Sequence, residues 1–192
     1  MAGVDLGIDL GTTKIIIYRR DKGIVLEEPS VVAYNTRSGK VVAVGHEALA
    51  MLGKTPAYIQ TECPIRDGVI SDHRYTEYLV KEFVRKVTKS YLIKPRIAIC
   101  IPSAITHVEA RAVVDAAMSA GARQVFLVDE PLAAAIGAGI DVTRPEGHML
   151  VDSGGGTSDV AVISLGGIVT ANSLRVAGNT FDEAIIKYIQ NT

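Results

Sequence analysis

Apolar positions in the first third of the chain fall in short β-branched blocks or alternate with polar ones, a pattern of strands. Val4–Asp9, Lys14–Tyr18, Ile24–Leu26, Ser30–Tyr34 and Val41–Val44 are such blocks, separated by Asp-Lys-Gly and Arg-Ser-Gly turns. The period then changes. Glu47–Leu52 predicts a short helix closed by Gly53, and Leu79, Val80, Phe83, Val84 and Val87 recur at helical spacing across Tyr75–Thr88. After Pro95 the run Arg96–Ile101 reads as a buried strand. Thr106 and Glu109 form a capping box for an alanine-rich helix that ends near Gly121. Val125–Val128 predicts another strand, and Pro131 opens a helix of very small residues, Ala133 to Ala138, which can pack closely on a sheet. Asp141–Gly147 reads as a linker. Beyond it the opening pattern returns: strands at Met149–Val151, Val160–Leu165 and Ile168–Val176. A second capping box, Thr180 and Glu183, is expected to lead a helix with Ile185, Ile186 and Ile189 on one face.

The repeated part carries the chemistry. Asp9-Leu10-Gly11-Thr12-Thr13 and Asp152-Ser153-Gly154-Gly155-Gly156-Thr157-Ser158-Asp159 each link two apolar runs, so each predicts strand, tight glycine turn, strand. Glycine lets the backbone come close to a phosphate and turn its N–H groups toward the anion. An aspartate at the strand end can hold Mg²⁺, usually through water. One such loop is also an ordinary hairpin turn. Two with the same order of parts point to a duplicated clamp on a nucleotide's phosphates.

Bulk properties narrow the classes. The 192 residues are 48% hydrophobic, enough for a substantial core. A net charge of −1 with no basic tail or patch gives no reason to expect nucleic-acid binding. Cys63 and Cys100 stand alone and read as buried thiols of a reducing cytoplasm; the four histidines form no metal motif. No signal peptide or bilayer-length apolar stretch is present.

Three further segments have two readings each. Gly53-Lys54-Thr55 imitates the end of a Walker A loop, but the earlier glycine would fall at Ala48 in a helical segment, and no GxGxxG follows a strand. Asp129-Glu130-Pro131 suits the first turn of a helix, where acids complement the dipole. Beside phosphate loops, a carboxylate on that turn could instead orient a water for in-line attack on a γ-phosphate. Tyr91-Leu92-Ile93, flanked by Lys89 and Lys94, either folds back on its own domain or forms an apolar tip for a membrane surface.

Ile8 to Thr13, Asp129 to Gly137 and Val151 to Thr157 resemble the phosphate-1, connect-1 and phosphate-2 motifs of the actin/Hsp70/sugar-kinase superfamily. Gly23 to Ala33, Asp67 to Asp72, Ala135 to Gly139 and Phe181 to Ile186 are similar to the bacterial actins of the MreB/Mbl family, and the resemblance covers essentially the whole chain. It implies an α/β actin-like ATPase fold, with ribonuclease H-like mixed sheets flanked by helices. Residues 1–30 and 69–144 would form subdomain IA, 31–68 the small inserted subdomain IB, and 145–192 the start of IIA. It implies ATP and Mg²⁺ in a cleft between the halves. Asp9 and Asp152 would hold the hydrated metal, and Gly11, Thr12, Thr13, Lys14, Gly154, Gly155, Gly156 and Thr157 the phosphates. Glu130 would orient the attacking water with help from Thr157. Tyr91, Leu92 and Ile93 match the place of a membrane-insertion loop in some members.

By the same resemblance the complete protein would form filaments of its own copies at the inner face of the cell membrane and work with cell-wall elongation proteins to set rod shape. This chain departs from the pattern at Lys14, where asparagine is usual, and at Ser153, where isoleucine is usual. Almost nothing precedes Val4, so an N-terminal anchor helix is not expected. The family continues well past residue 192, so subdomain IIB and the adenine-contacting segments are expected to be missing, as in a fragment or truncated product. The rival expectations are an Hsp70-like chaperone ATPase, a sugar or acetate kinase, and a non-catalytic scaffold.

Overall fold

The structure is a computed structural model and describes residues 5–88, 94–103 and 105–192. Its largest layer is a five-stranded sheet in the order β10-β9-β1-β2-β3. It comprises β1 (Asp5–Leu10), β2 (Lys14–Arg19), β3 (Gly23–Pro29), β9 (Arg96–Ile101) and β10 (Gln124–Asp129). The first three strands form an antiparallel meander, while β9 and β10 run parallel to β1. Register lines up the apolar side chains on one face. Ile8 stands opposite both Ile17 and Ile99, and Leu6 opposite Ile97. All are buried against Leu79, Val80, Phe83 and Val84 of helix α2 (His73–Thr88) and Val113 and Ala117 of α3 (His107–Ser119). Arg96 closes the far end of this sheet, donating from Nε and a terminal nitrogen to the two oxygens of Asp5 at 2.8 and 2.7 Å.

A smaller sheet of β5 (Val41–Val44), β4 (Val32–Asn35) and β6 (Ile59–Glu62) packs with α1 (His46–Met51) around Val31, Ala33 and Ala48. Stacking of Tyr34 on Tyr75, with ring centroids 4.6 Å apart, ties it to α2. Strand β6 and the hairpin of β7 (Ile65–Arg66) and β8 (Val69–Ile70) were not among the elements expected from the sequence. They are short and lack a clear alternation. The last sheet, β11-β12-β13, spans His148–Ser153, Ser158–Ser164 and Gly167–Leu174 and repeats the antiparallel meander of β1-β2-β3.

Helix α4 (Glu130–Gly137) packs against strands of both the large and the last sheet. Its run of alanines lets it do so: Ala135 is fully buried and shares a cluster with Val142 and Ile163. The segment 141–147 is not a loose linker. Asp141 accepts from Thr143 and Arg144, and Val142 is buried with its carbonyl accepting from the Gly166 N–H at 2.7 Å.

The two capping boxes differ. Thr106 accepts from the Glu109 N–H while the Glu109 carboxylate accepts from the Thr106 N–H, so this box is complete. The second does not form. Helix α5 (Gly178–Gln190) starts two residues before Thr180, with Ala177 at its N-cap and no side-chain cap. The reason is that the Gly178 and Asn179 N–H groups already donate to the carbonyls of Gly154 and Gly155, so a tertiary contact sets where the helix begins. Phe181, Ile185, Ile186 and Ile189 of α5 are all more than half exposed. Replacing Thr106 by Ala should cost about 1 kcal/mol, and Thr180→Ala no more than about 0.5 kcal/mol, read as shifts of the urea unfolding midpoint at constant slope.

Candidate phosphate-binding site

Two hairpins of the same design form the site. In the first, Asp9 of β1 stands opposite Ile16 of β2; in the second, Asp152 of β11 stands opposite Asp159 of β12. The carboxylates thus leave their sheets one residue before each glycine loop. Alternation along β1 puts Leu6 and Ile8 into the core and Asp9 on the other face, in register with Cys100 of the parallel neighbour β9.

The loops meet across the gap between the sheets. A side-chain carbon on Gly155 would overlap the Thr13 methyl, and one on Gly156 would stand 2.6 Å from the Thr12 hydroxyl and 2.9 Å from the Asp67 backbone. Only glycine permits this approach. A third segment joins them: the Gly68 N–H donates to Thr12 Oγ1 at 3.0 Å. Asp67 and Gly68 both have positive φ, 50° and 72°, in the two-residue turn between β7 and β8. A left-handed pair of this kind suits a type I′ hairpin.

Asp9, Gly11, Thr12, Thr13, Lys14, Glu130, Asp152, Gly154, Gly155, Gly156 and Thr157 all line one cavity of about 150 Å³. Every phosphate, metal and catalytic candidate from the sequence is therefore brought together. Gly68, Cys100 and Pro102 line it as well and were not foreseen. The Asp67-Gly68 dipeptide is a hairpin signal that could have placed the turn, though not the turn's contact with Thr12. Thr12, Thr13 and Lys14 also line a larger adjoining cleft of about 1070 Å³. Ser153 is exposed, its hydroxyl 2.8 Å from that of Ser158. Tyr91, Leu92 and Ile93 lie outside the described residues.

The cavity wall is predominantly acidic. Burial, then the charges of Asp9, Asp152 and Asp159, push the Glu130 carboxyl up to about 7. Burial and the neighbouring Asp152 raise Asp9 in the same sense. Cys100, half-buried rather than fully buried as the sequence suggested, is pushed up to about 11 by desolvation and these acids, which keeps it a thiol at neutral pH. Lys14 is the single cationic residue in the cavity wall among the described residues, and its Nζ rests on Glu27 at 2.7 Å. No group of three or more metal-ligating side chains occurs among the described residues. Asp9 and Asp152 repel each other across the gap, which a divalent ion held partly through water would relieve.

A carboxyl whose folded pKa lies above its unfolded value favours folding below the unfolded pKa and loses that contribution as pH rises through the folded value. Glu130→Gln should therefore stabilise the nucleotide-free chain increasingly from pH 4.5 to 7 and level off above. The expected gain is on the order of 2 kcal/mol after allowance for the residue's remaining exposure, and melting of both forms in chelator across this range measures it.

The family described as MreB/Mbl protein matches residues 3–192. The cell shape-determining protein Mbl of Bacillus subtilis is 51% identical over 97% of this chain and 56% of its own length. The cell shape-determining protein MreB of Escherichia coli is 50% identical over 97% of this chain and 55% of its own. The crystal structure of MreB5 of Spiroplasma citri bound to ADP superposes with a TM-score of 0.92 at 37% identity, over 99% of this chain and 57% of that one. The MamK double helical filament, 23% identical with a TM-score of 0.81, shares the fold. The chain thus spans little more than half the length of these relatives. With the fold, the paired loops and these likenesses in agreement, the chain has the actin-like α/β fold and belongs to the MreB/Mbl family.

Proposed function

We propose that the chain is the phosphate-clamping portion of an actin-like ATPase that assembles into filaments and directs cell shape. The observation that carries this reading is the contact between the two glycine loops. It turns two separate hairpins into one small cavity with backbone amides, hydroxyls and three carboxylates on its wall. Two lines of similarity support it. MreB5 has been crystallised with ADP and with AMPPNP, and the curated relatives are cell shape-determining proteins.

In this reading the triphosphate enters from the larger cleft. Gly11, Thr12, Thr13 and Gly154 to Gly156 hold its phosphates, and Lys14 adds a positive charge once it leaves Glu27. Asp9 and Asp152 would hold Mg²⁺, which when bound would neutralise charge on the phosphate oxygens. Glu130, whose raised pKa suits it to take a proton near neutrality, orients the water, assisted by Thr157. Catalysis is then positioning and electrostatics without a covalent intermediate. Residues 1–30 and 69–144 act as subdomain IA, 31–68 as IB and 145–192 as the start of IIA, so that nucleotide bridges IA and IIA and favours their closed arrangement. The full-length protein is placed at the inner face of the membrane, beside the cell-wall elongation machinery, with residues 91–93 as its contact with lipid.

Titration calorimetry tests the clamp. Mg·ATP should bind the chain, and Asp152→Ala should weaken it roughly tenfold to hundredfold; equal affinity in the two proteins would refute the clamp. The membrane contact has its own test. Leu92→Glu combined with Ile93→Glu should abolish co-sedimentation with anionic liposomes, whereas unchanged pelleting would rule out the loop as anchor.

A further inference from the structure

Three charged side chains share one face of the large sheet beside the cavity. Asp9 of β1 stands opposite Ile16 of β2, and Ile16 stands opposite Glu27 of β3. Directly opposite residues of neighbouring strands project to the same face, so Asp9, Ile16 and Glu27 form a row across three strands. Lys14 lies two residues before Ile16 and therefore on this face too, diagonal to both acids. The alternate positions, Ile15 and Ile17, point the other way and are fully buried in the core. Diagonal positions are within reach of a long side chain.

Lys14 uses that reach toward Glu27, with its Nζ 2.7 Å from the carboxylate. Its charge is also felt at Asp9, where it opposes the upward push of burial and of Asp152. Both side chains of the Lys14–Glu27 pair are half exposed, and exposed ion pairs are weak. The ammonium rides on a flexible four-carbon stem, so it can turn from the Glu27 side to the Asp9 side at little cost. Lys14 also stands at a junction. It lines both the cavity of about 150 Å³ and the larger cleft, whereas Arg66 and Arg175 line the cleft but not the cavity. A polyphosphate entering among Asp9, Glu130 and Asp152 meets like charge. The glycine-loop amides offer only partial positive charge, so a full counter-charge has to come from a metal ion or from Lys14.

We propose that Lys14 is a built-in counter-ion that lets this site hold a nucleoside triphosphate with reduced reliance on a divalent metal, and that Glu27 competes with the phosphates for it. The inference rests on the nucleotide reading above and adds a division of labour to it. Asp9 and Asp152 would recruit a metal ion, while Lys14 supplies a charge that no chelator removes. Its bond to Glu27 holds the ammonium above its ordinary range, so that charge is present throughout the neutral pH region. Turning to a phosphate exchanges one anionic partner for another, and the strength of the Glu27 bond therefore sets how readily Lys14 is released.

The test is calorimetric titration with ATP, once with Mg²⁺ and once in chelator. It compares the wild-type chain with Lys14→Gln, Lys14→Arg, Glu27→Gln and the Lys14→Gln/Glu27→Gln double variant, and melting reports folding. Both positions are half exposed, so every form should melt near the wild-type midpoint. In chelator, Lys14→Gln should weaken ATP binding about tenfold or more, and Lys14→Arg should recover most of that loss. With Mg²⁺ the loss in Lys14→Gln should be no more than about threefold. Glu27→Gln should tighten ATP binding in chelator about threefold, a gain that the double variant lacks. Equal weakening of Lys14→Gln in both media overturns the proposal, because Lys14 is then one phosphate contact among others. Unchanged binding of Lys14→Gln in chelator overturns it too. A wild-type chain that binds Mg·ATP but takes no ATP in chelator defeats this inference and leaves the nucleotide reading standing; no binding in either medium defeats the nucleotide reading itself.

Discussion

The close contact of a glycine backbone with two threonine side chains governs the arrangement of this molecule. Gly155 and Gly156 lie against Thr13 and Thr12 so closely that any larger residue would force the sheets apart. That contact closes the cavity and brings Asp9 and Asp152 toward each other. It also carries the Gly178 and Asn179 amides onto the loop carbonyls, and so fixes the start of α5. Close approach of this kind is specific and brittle. It gains little from burial, so it depends on the two sheets being held correctly elsewhere.

Helix α4 supplies that support. It sits between the large sheet and β11-β12-β13, and its alanines let both come near. Its first residue is Glu130, so the element that sets the spacing of the sheets also delivers the central carboxylate of the site. The core behind it is conventional: Leu6, Ile8, Ile15, Ile17, Ile97 and Ile99 packed on the α2 stripe of Leu79, Val80 and Phe83. Stability and chemistry are thus divided between the two faces of the large sheet, with alternation along β1 assigning Ile8 to one and Asp9 to the other.

The cavity concentrates negative charge that the chain alone does not balance. Burial and Asp152 raise Asp9, burial and the charges of Asp9, Asp152 and Asp159 raise Glu130, and Lys14 is turned to Glu27 at the rim. Gathering these acids on one wall is electrostatically unfavourable, and any cation that entered would relieve it.

Much of this was legible in the order of residues. Helical spacing of Leu79, Phe83 and Val87 placed α2, the Thr106–Glu109 pair placed the start of α3, and the two Asp-Gly-Thr segments named the cavity's wall before any contact was known. These are local signals, set by backbone periodicity and by what glycine alone can do. Other features required the assembled fold. The box at Thr180 and Glu183 is intact as a sequence and silent as a cap, because Gly178 and Asn179 are held by a loop some 24 residues upstream. Ile185, Ile186 and Ile189 form the apolar face their spacing announced, yet nothing among the described residues covers it. Asp159 looked like one more polar residue closing a glycine loop; only register and burial set it beside Asp152 without a donor. Sequence determines what each segment can become, because its signals act within a few residues. Which acids meet, which caps form and which glycines matter were decided by distances across the chain, and those exist only once the sheets have packed.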